Sequence, residues 1–253
     1  MKIKILGGHG GLSQGHLTTS FLIDDKILID AGSVASSLSI PDQAKINHIL
    51  ISHGHLDHIK DLAFLCDNCF TLRDRAFEVY THKTVKEIIH KHLFNDIVWP
   101  DFTKIPSPDR PMIKINPILE ETFFIEDYSL TSVKVNHAQD AMGFIIEKND
   151  VALLFTLDTG PTDKIWEVSQ RMKNIKGIFT EVSFPNNQSE VATISHHHTP
   201  NSLMQELSKM PPGVPVILTH MKPYFRDDIV RELNLLNNPR LQVLKVDGEV
   251  FYF

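Results

Sequence analysis

The sequence predicts a mixed α/β fold of one domain. Apolar runs with the period of β-strands recur along the chain, and segments with helical spacing of apolar residues lie between several of them. The chain has 253 residues, of which 42% are hydrophobic, and this is enough for a substantial core. No repeat of fixed period, low-complexity tract or long charge block divides it. We therefore expect residues 1–253 to form a single domain.

The individual elements follow from these periodicities. Residues 1–8 alternate and then break at glycine, as a first strand does. Further strands are predicted at residues 20–23, 27–29, 49–51, 78–80, 129–135, 143–146, 152–155, 177–180 and 216–218. Helices are predicted at residues 59–70, 84–94, 162–172, 201–210 and 227–236. Residues 241–246 and 250–253 are predicted to close the chain as a hairpin.

Residues 95–117 are predicted to form a long loop. They contain five prolines, which exclude a regular helix or a central strand. Because a long ordered loop in a compact domain is often functional, we expect part of this loop to wall a pocket. Trp99 would give that wall a flat apolar surface for a ring.

The composition limits the classes of partner. A net charge of −6 argues against a broad nucleic-acid surface, because such a surface needs Lys and Arg to neutralise phosphates. It leaves room for a small anionic substrate, since bound divalent ions can supply local positive charge. No apolar run approaches about 18 residues, so we expect a soluble protein with no membrane partner.

The two cysteines, Cys66 and Cys69, are spaced C-x-x-C. A redox pair or half of a zinc site has this spacing, but the second pair that a structural zinc needs is missing. Two buried small residues on a helix are the favoured interpretation. Because nothing indicates a disulfide framework, we expect the protein to work in a reducing cytoplasm.

The chemistry is concentrated in residues 52–58, SHGHLDH, directly after the predicted strand 49–51. Neutral imidazole and carboxylate are the ligands that suit zinc and its divalent neighbours. His53 and His55 lie two residues apart and can point the same way from an extended segment. Asp57 and His58 follow on a turn and can reach a second ion. The spacing therefore predicts a two-metal hydrolytic site.

Other predicted strands also end in His or Asp, namely in His137, Asp158 and His220, and strand 177–180 ends at Glu181. Burying each of them unpaired would cost roughly several kcal/mol, and a shared ion removes that cost for the ligands together. Asp30, at the end of strand 27–29, is better suited to fixing a ligating histidine from behind than to ligation. The glycine-rich loop 7–15 either is a tight connection or borders the site.

The order His-x-His-x-Asp-His, then His137, Asp158 and His220, resembles the metallo-β-lactamase superfamily over nearly the whole chain. Residues 95–100 (NDIVWP), 181–186 (EVSFPN) and 197–200 (HHTP) are similar to motifs of its class II cyclic-nucleotide phosphodiesterases, with His198 where Leu is usual. The resemblance implies an αββα sandwich with two metals at one edge. His55, rather than an acidic residue, tells against the di-iron redox branch.

The resemblance also implies the roles of the side chains. The metal ligands would be His53, His55 and His137 for the first ion, Asp57, His58 and His220 for the second, and Asp158 between them. Both ions would be zinc, although manganese or iron would tolerate the same ligands.

Catalysis of phosphodiester cleavage benefits from a general acid, because an alkoxide is a poor leaving group. We predict that His197 fills this role, oriented by Glu181, and that Asp57 belongs to the catalytic set. The competing interpretation of residues 196–198 is an exposed polar turn. Candidate substrate contacts are Trp99, Phe184, Asn186 and Thr199, although either ring could belong to the core.

The resemblance implies hydrolysis of a 3′,5′-cyclic nucleotide, cyclic AMP or cyclic GMP, at its 3′ phosphoester bond. The substrate would be the main partner, and a homodimer is compatible with the sequence. A tRNA 3′-processing nuclease of the same fold needs a basic arm, which the charge of −6 argues against. A glyoxalase-type thioesterase would share the metal cluster and differ in its substrate. A nucleotide-binding sensor without turnover is disfavoured by the complete set of ligands.

Overall fold

The computed structural model describes residues 1–253 and contains sixteen strands and nine α-helices. The strands are β1 (Lys2–Gly7), β2 (Ser20–Ile23), β3 (Ile27–Ile29), β4 (His48–Leu50), β5 (Phe77–His82), β6 (Pro106–Ser107), β7 (Arg110–Pro111), β8 (Ile113–Ile118), β9 (Thr122–Ile125), β10 (Tyr128–Lys134), β11 (Met142–Lys148), β12 (Val151–Leu157), β13 (Ile175–Glu181), β14 (Val216–Thr219), β15 (Leu241–Val243) and β16 (Val250–Tyr252). The helices are α1 (Val34–Ser37), α2 (Ile40–Gln43), α3 (Leu56–Ile59), α4 (Asp61–Cys69), α5 (Lys83–His92), α6 (Lys164–Gln170), α7 (Ser189–Ile194), α8 (Pro200–Glu206) and α9 (Arg226–Leu235). Short 3-10 helices span Asn186–Gln188 and Pro223–Phe225.

The strands form two seven-stranded sheets and one small ribbon. The first sheet has the order β16-β1-β2-β3-β4-β5-β8, the second has the order β15-β14-β13-β12-β11-β10-β9, and β6 pairs with β7. Strands β3, β4, β5 and β8 are parallel, and so are β12, β13, β14 and β15. Because β10 and β12 are both antiparallel to β11, they run the same way. The carboxyl ends of these strands therefore lie at one edge of each sheet, the edge at which α/β sheets bind ligands.

Three apolar clusters hold the layers together. The inner cluster lies between the sheets and includes Phe21, Phe155 and Phe179, with the last two rings stacked at 4.7 Å. A second cluster packs the outer face of the first sheet against α1, α4 and α5. A third packs the outer face of the second sheet against α6, α8 and α9. This layer order confirms the predicted αββα sandwich.

Most predicted elements are present, with shifted boundaries. The predicted helix at 59–70 is instead two helices, α3 and α4, and α3 begins as early as Leu56. Both Cys66 and Cys69 are buried, unpaired residues of α4, as predicted. None of the helices is long and apolar enough to cross a lipid bilayer.

Two predictions about strands were wrong. Residues 241–246 and 250–253 do not form a hairpin, because β15 joins the second sheet beside β14 while β16 joins the first sheet beside β1. The segment 95–117 is not a loop throughout, since β8 begins at Ile113 and includes Pro117. Proline is tolerated there because β8 is an edge strand that pairs only with β5.

Replacing Phe155 with Ala should lower the free energy of unfolding by about 3–5 kcal/mol, because it removes a fully buried ring from between the sheets. Chemical denaturation measures this change. The matched control is Phe124→Ala on β9, where the residue is 76% exposed and the expected change is within about 0.5 kcal/mol. Equal effects of the two substitutions would contradict the assignment of the inner core.

Candidate metal centre

The predicted ligands lie just beyond the carboxyl ends of strands from both sheets. His53 and His55 follow β4, and Asp57 and His58 lie in the single turn of α3. From the second sheet come the residues that follow β10, β12 and β14, namely His137, Asp158 and His220. Since the sheets face each other, these strand ends meet in one place.

The carboxylate of Asp158 lies at the centre of the group. Four imidazole Nε2 atoms lie within 4 Å of its Oδ2 atom: those of His220 at 3.0 Å, His58 at 3.2 Å, His137 at 3.7 Å and His53 at 3.8 Å. We call this set, with His55 and Asp57, the His/Asp cluster. His55 is its most exposed member, and its Nδ1 lies 3.3 Å from Nε2 of His137.

Potential ligand atoms in the cluster fall into two main groups, each within 4.8 Å. One group is His53, His55, His137 and Asp158, and the other is Asp57, His58 and His220. Asp57 lies 3.7 Å from Nε2 of His58 and 4.0 Å from Nε2 of His220. The structure thus brings together all seven residues that the sequence predicted as ligands. Asp158 falls in the first group, and a third group joins it to His197 and His220.

Four imidazoles in the cluster are fixed through the nitrogen that faces away from Asp158. The Nδ1 partners are the Ser52 hydroxyl for His53, the Asp30 carboxylate for His58, the His196 carbonyl for His137 and the Thr19 hydroxyl for His220. When Nδ1 carries the only proton of a ring, the Nε2 lone pair points into the cluster. This is the tautomer that a metal ligand requires.

Buried polar atoms in the cluster lack protein partners. Nε2 of His53, Nε2 of His58 and Oδ1 of Asp158 make no hydrogen bond although each is buried. Such atoms are costly unless something else satisfies them. The donor set of imidazole nitrogen and carboxylate oxygen fits a divalent metal ion.

The protonation of the cluster is consistent with this fit. Burial lowers the pKa of His53 well below its ordinary value and lowers that of His137 to about 4, so both are neutral. Burial alone would raise the pKa of Asp158, but the facing imidazoles of His220 and His58 hold it well below its usual range. The carboxylates of Asp158 and Asp30 raise the pKa of His58 against the effect of burial. A cation that binds at His58 would therefore displace a proton.

Asp30 supports the cluster from behind, as the sequence predicted. Its buried carboxylate accepts hydrogen bonds from the Ser52 backbone N–H at 2.8 Å, the Ser52 hydroxyl at 2.8 Å and Nδ1 of His58 at 2.6 Å. The Ser52 hydroxyl in turn accepts from Nδ1 of His53. The Asp30 carboxylate thus fixes His58 of the second group directly and His53 of the first group through the Ser52 hydroxyl.

His197 forms a buried pair with Glu181 beside the cluster. Its Nδ1 lies 2.7 Å from Oε1 of the fully buried Glu181, whose other oxygen accepts from the Ser183 hydroxyl. Burial lowers the pKa of His197, but the Glu181 carboxylate outweighs burial and raises it. The ring of His197 stacks on that of His220 at 5.6 Å and lies 4.8 Å from that of His137. The geometry would suit a proton donor directed at the cluster.

The neighbouring histidines differ from His197. His196 is exposed, while His198 is buried and its Nδ1 faces the Ser202 hydroxyl at 3.0 Å. Of the three imidazole rings, only that of His197 has a carboxylate partner. A nitrogen of His197 also lies within 4.8 Å of ligand atoms of Asp158 and His220, so the geometry would allow ligation as well.

The predicted substrate contacts lie in different surroundings. Phe184 is close to the cluster, with its ring 5.8 Å from that of His197. Thr199 caps α8 and, with His197, lines a cavity of about 310 Å³. The side-chain carbonyl of Asn186 accepts from the Asn201 backbone. Trp99 packs on Phe64 at 5.3 Å, against the helical layer of the first sheet.

Two further contacts at the site, those of Thr19 and Ser183, were not identified from the sequence, and a third comes from the glycine-rich loop. Thr19 holds His220, Ser183 joins Glu181 to the His220 carbonyl, and the glycine-rich loop lies against His220. A methyl group on Gly10 would come within 2.5 Å of the His220 carbonyl oxygen. Serine, threonine and glycine in loops are too common for their types to indicate these roles. The loop thus borders the site, one of its two predicted positions.

Comparison with known proteins agrees with this geometry. The family described as "Beta-lactamase superfamily domain" matches residues 25–221. A protein of Yersinia pestis named probable 3′,5′-cyclic-nucleotide phosphodiesterase is 25% identical, over 89% of this chain and 79% of that protein. The 3′,5′-cyclic-nucleotide phosphodiesterase of Aliivibrio fischeri is 27% identical, over 80% of this chain and 73% of its own length.

A solved structure shows the same fold. The crystal structure of unliganded yeast PDE1 superposes with a TM-score of 0.79 and 20% sequence identity, covering 100% of this chain and 99% of that one. At this identity the likeness concerns the fold alone. It confirms the metallo-β-lactamase fold that the resemblance implied.

Replacing Asp30 with Asn should weaken metal binding by about 10- to 100-fold, because an amide has one accepting oxygen, whereas one carboxylate oxygen accepts from the Ser52 backbone N–H and the other from the Ser52 hydroxyl and His58. Asparagine also tolerates the positive φ of 55° at this position, so the backbone need not move. Competition with a chromophoric chelator measures the affinity for zinc. The matched control is Asp42→Asn, at an exposed position on α2. If Asp30→Asn bound zinc as tightly as this control, the supporting role of Asp30 would be contradicted.

Proposed function

This chain belongs to the beta-lactamase superfamily, and on that basis we propose that it is a dinuclear-metal phosphodiesterase that hydrolyses 3′,5′-cyclic nucleotides at the 3′ ester bond. The fold and family make it a metallo-β-lactamase-fold hydrolase; the substrate class and the two ions are the proposed part. One observation carries the proposal: a cluster of oriented imidazole and carboxylate ligands lies directly beside a buried His–Glu pair. Residues 1–253 would act together as one domain.

The metal-binding part of the proposal assigns each group of the cluster to one ion. His53, His55 and His137 would hold the first ion, Asp57, His58 and His220 the second, and Asp158 would serve both. Bound divalent ions supply Lewis acidity, which activates water at neutral pH and neutralises charge on phosphate oxygens. Zinc suits these ligands, and manganese or iron would tolerate them.

The protein's own residues would manage the leaving group. As the bond between phosphorus and O3′ breaks, the oxygen gains charge and needs a proton. His197 can donate it, because Glu181 keeps its ring oriented and raises its pKa. Ser183 and the backbone N–H groups of Thr159 and His198 hold the Glu181 carboxylate in turn. The proton donor is therefore fixed before substrate arrives.

Support for the substrate class comes from the named relatives and from space at the site. Both reported relatives carry the name of a cyclic-nucleotide phosphodiesterase and match most of this chain. The cavity of about 310 Å³ beside His197 is lined by polar side chains such as Thr193 and Asn136, which suit a nucleoside. Phe184 offers a ring for stacking, and Trp99, Asn186 and Thr199 remain candidate contacts.

The zinc-loaded protein should convert cyclic AMP or cyclic GMP to the 5′-mononucleotide, and removal of metal should abolish this turnover. Chromatography of the nucleotides before and after chelation measures both. Parallel assays with a tRNA precursor and a glutathione thioester test for nuclease and thioesterase activity. Nucleotide binding without any product would identify a sensor instead.

Replacing His197 with Ala should lower kcat by about 10²–10⁴-fold without lowering the zinc content, because the substitution removes the proton donor and no ligand. Steady-state kinetics and elemental analysis of the same preparation measure the two effects. His92→Ala, an exposed histidine of α5, should change neither. Loss of zinc from the His197 variant would assign His197 to the metal instead.

A further inference from the structure

Lys222 is held at the edge of the His/Asp cluster by two separate elements. Its backbone N–H donates to the carbonyl of Ser183 at 3.2 Å, just beyond β13. Its ammonium group donates to the carbonyl of Gly10 at 2.7 Å, in the glycine-rich loop. That loop is itself fixed to the strand end, because Gly10 donates to Met221 and His220 donates to Gly8. The side chain of Lys222 therefore has a defined position.

This position is next to a candidate metal ligand. A methyl group on Gly10 would lie 2.5 Å from the carbonyl oxygen of His220 and 3.0 Å from its Nε2, so Gly10 touches the edge of that imidazole. The ammonium group of Lys222 donates to the Gly10 carbonyl, and Gly10 contacts His220 of the cluster. Gly10 therefore lies between this ammonium and the cluster. The Nε2 atom that Gly10 approaches also lies 4.0 Å from the carboxylate of Asp57, whose side chain is 29% exposed.

Lys222 is also short of partners. An ammonium group has three N–H donors, and only one of them, to Gly10, has a protein acceptor. No carboxylate lies within ion-pair distance of it, whereas the ammonium of Lys209 contacts both Asp163 and Glu206. Two N–H donors of this ammonium therefore remain available to an anionic ligand.

We propose that Lys222 binds a non-bridging phosphate oxygen of the substrate and of the product, as a phosphate-binding residue beside the metal centre. The substrate class rests on the proposed function, but the phosphate contact does not depend on which phosphate ester is cleaved. Lysine suits the role because its ammonium is a compact charge on a flexible stem. The glycine-rich loop then has a second purpose, which is to place this charge.

Removing the charged hydrogen bond between Lys222 and phosphate should reduce phosphate affinity by about 10- to 100-fold. Titration calorimetry of the zinc-loaded full chain with inorganic phosphate and with 5′-AMP measures this for Lys222→Gln. Lys222→Arg keeps the charge and should recover part of the affinity. The matched control is Lys176→Gln, since Lys176 is exposed at the start of β13, the end away from the cluster, and it should bind like the unaltered protein.

The substitution of Lys222 should change KM and leave the zinc content unchanged. With cyclic AMP, Lys222→Gln should raise KM in proportion to the lost affinity while its zinc content stays equal to that of the unaltered protein. The role is overturned if Lys222→Gln binds phosphate as tightly as Lys176→Gln, if it loses zinc, or if the unaltered protein binds no phosphate.

Failure of the proposed function would look different. If the unaltered protein binds phosphate through Lys222 but leaves cyclic AMP intact, the phosphate contact is supported and the substrate class is wrong. If cyclic AMP is hydrolysed with unchanged KM and phosphate affinity in Lys222→Gln, the substrate class is supported and the role of Lys222 is wrong.

Discussion

The burial of the Asp158 carboxylate is the constraint on which the arrangement of the site depends. Asp158 is 3% exposed, and four imidazole nitrogens lie within 4 Å of one of its oxygens. A charged carboxylate in such a place must be compensated, or its desolvation would cost several kcal/mol. The surrounding imidazoles supply part of that compensation and must be held in turn. Asp30, Thr19 and the carbonyl of His196 provide this second level of support.

The packing of the two sheets sets the distances between the residues of the His/Asp cluster. The two sheets contribute different members of the cluster, so its dimensions depend on how closely the sheets pack. The inner layer that includes Phe155 and Phe179 sets that spacing, and close-packed interiors yield little to small forces. A site built at strand ends therefore inherits the rigidity of the core, while the loops beyond it remain free to vary.

The edge of the molecule at the carboxyl ends of the strands combines three kinds of side chain. In the proposed function, the His/Asp cluster would provide metal ligands, the Glu181–His197 pair a held proton, and Lys222 a positive charge beside the cluster. Together they would meet the charge changes of phosphodiester cleavage, in which negative charge lies on phosphorus-bound oxygens and develops on the leaving oxygen. Each kind is held by backbone or side-chain contacts that are present without substrate.

Most strands, most helices and the seven cluster residues could be predicted from the order of residues alone. Local periodicity specifies elements, and polar side chains at strand ends would be too costly to bury unless they met. The resemblance to a known family added the layer order, which local pattern does not contain. Long-range pairing placed β15 and β16 in different sheets, because sequence neighbours can pair with any compatible edge. Only the folded chain showed that Thr19, Ser183 and Lys222 reach the site, since their residue types are common in loops and the packing of distant segments brings them there.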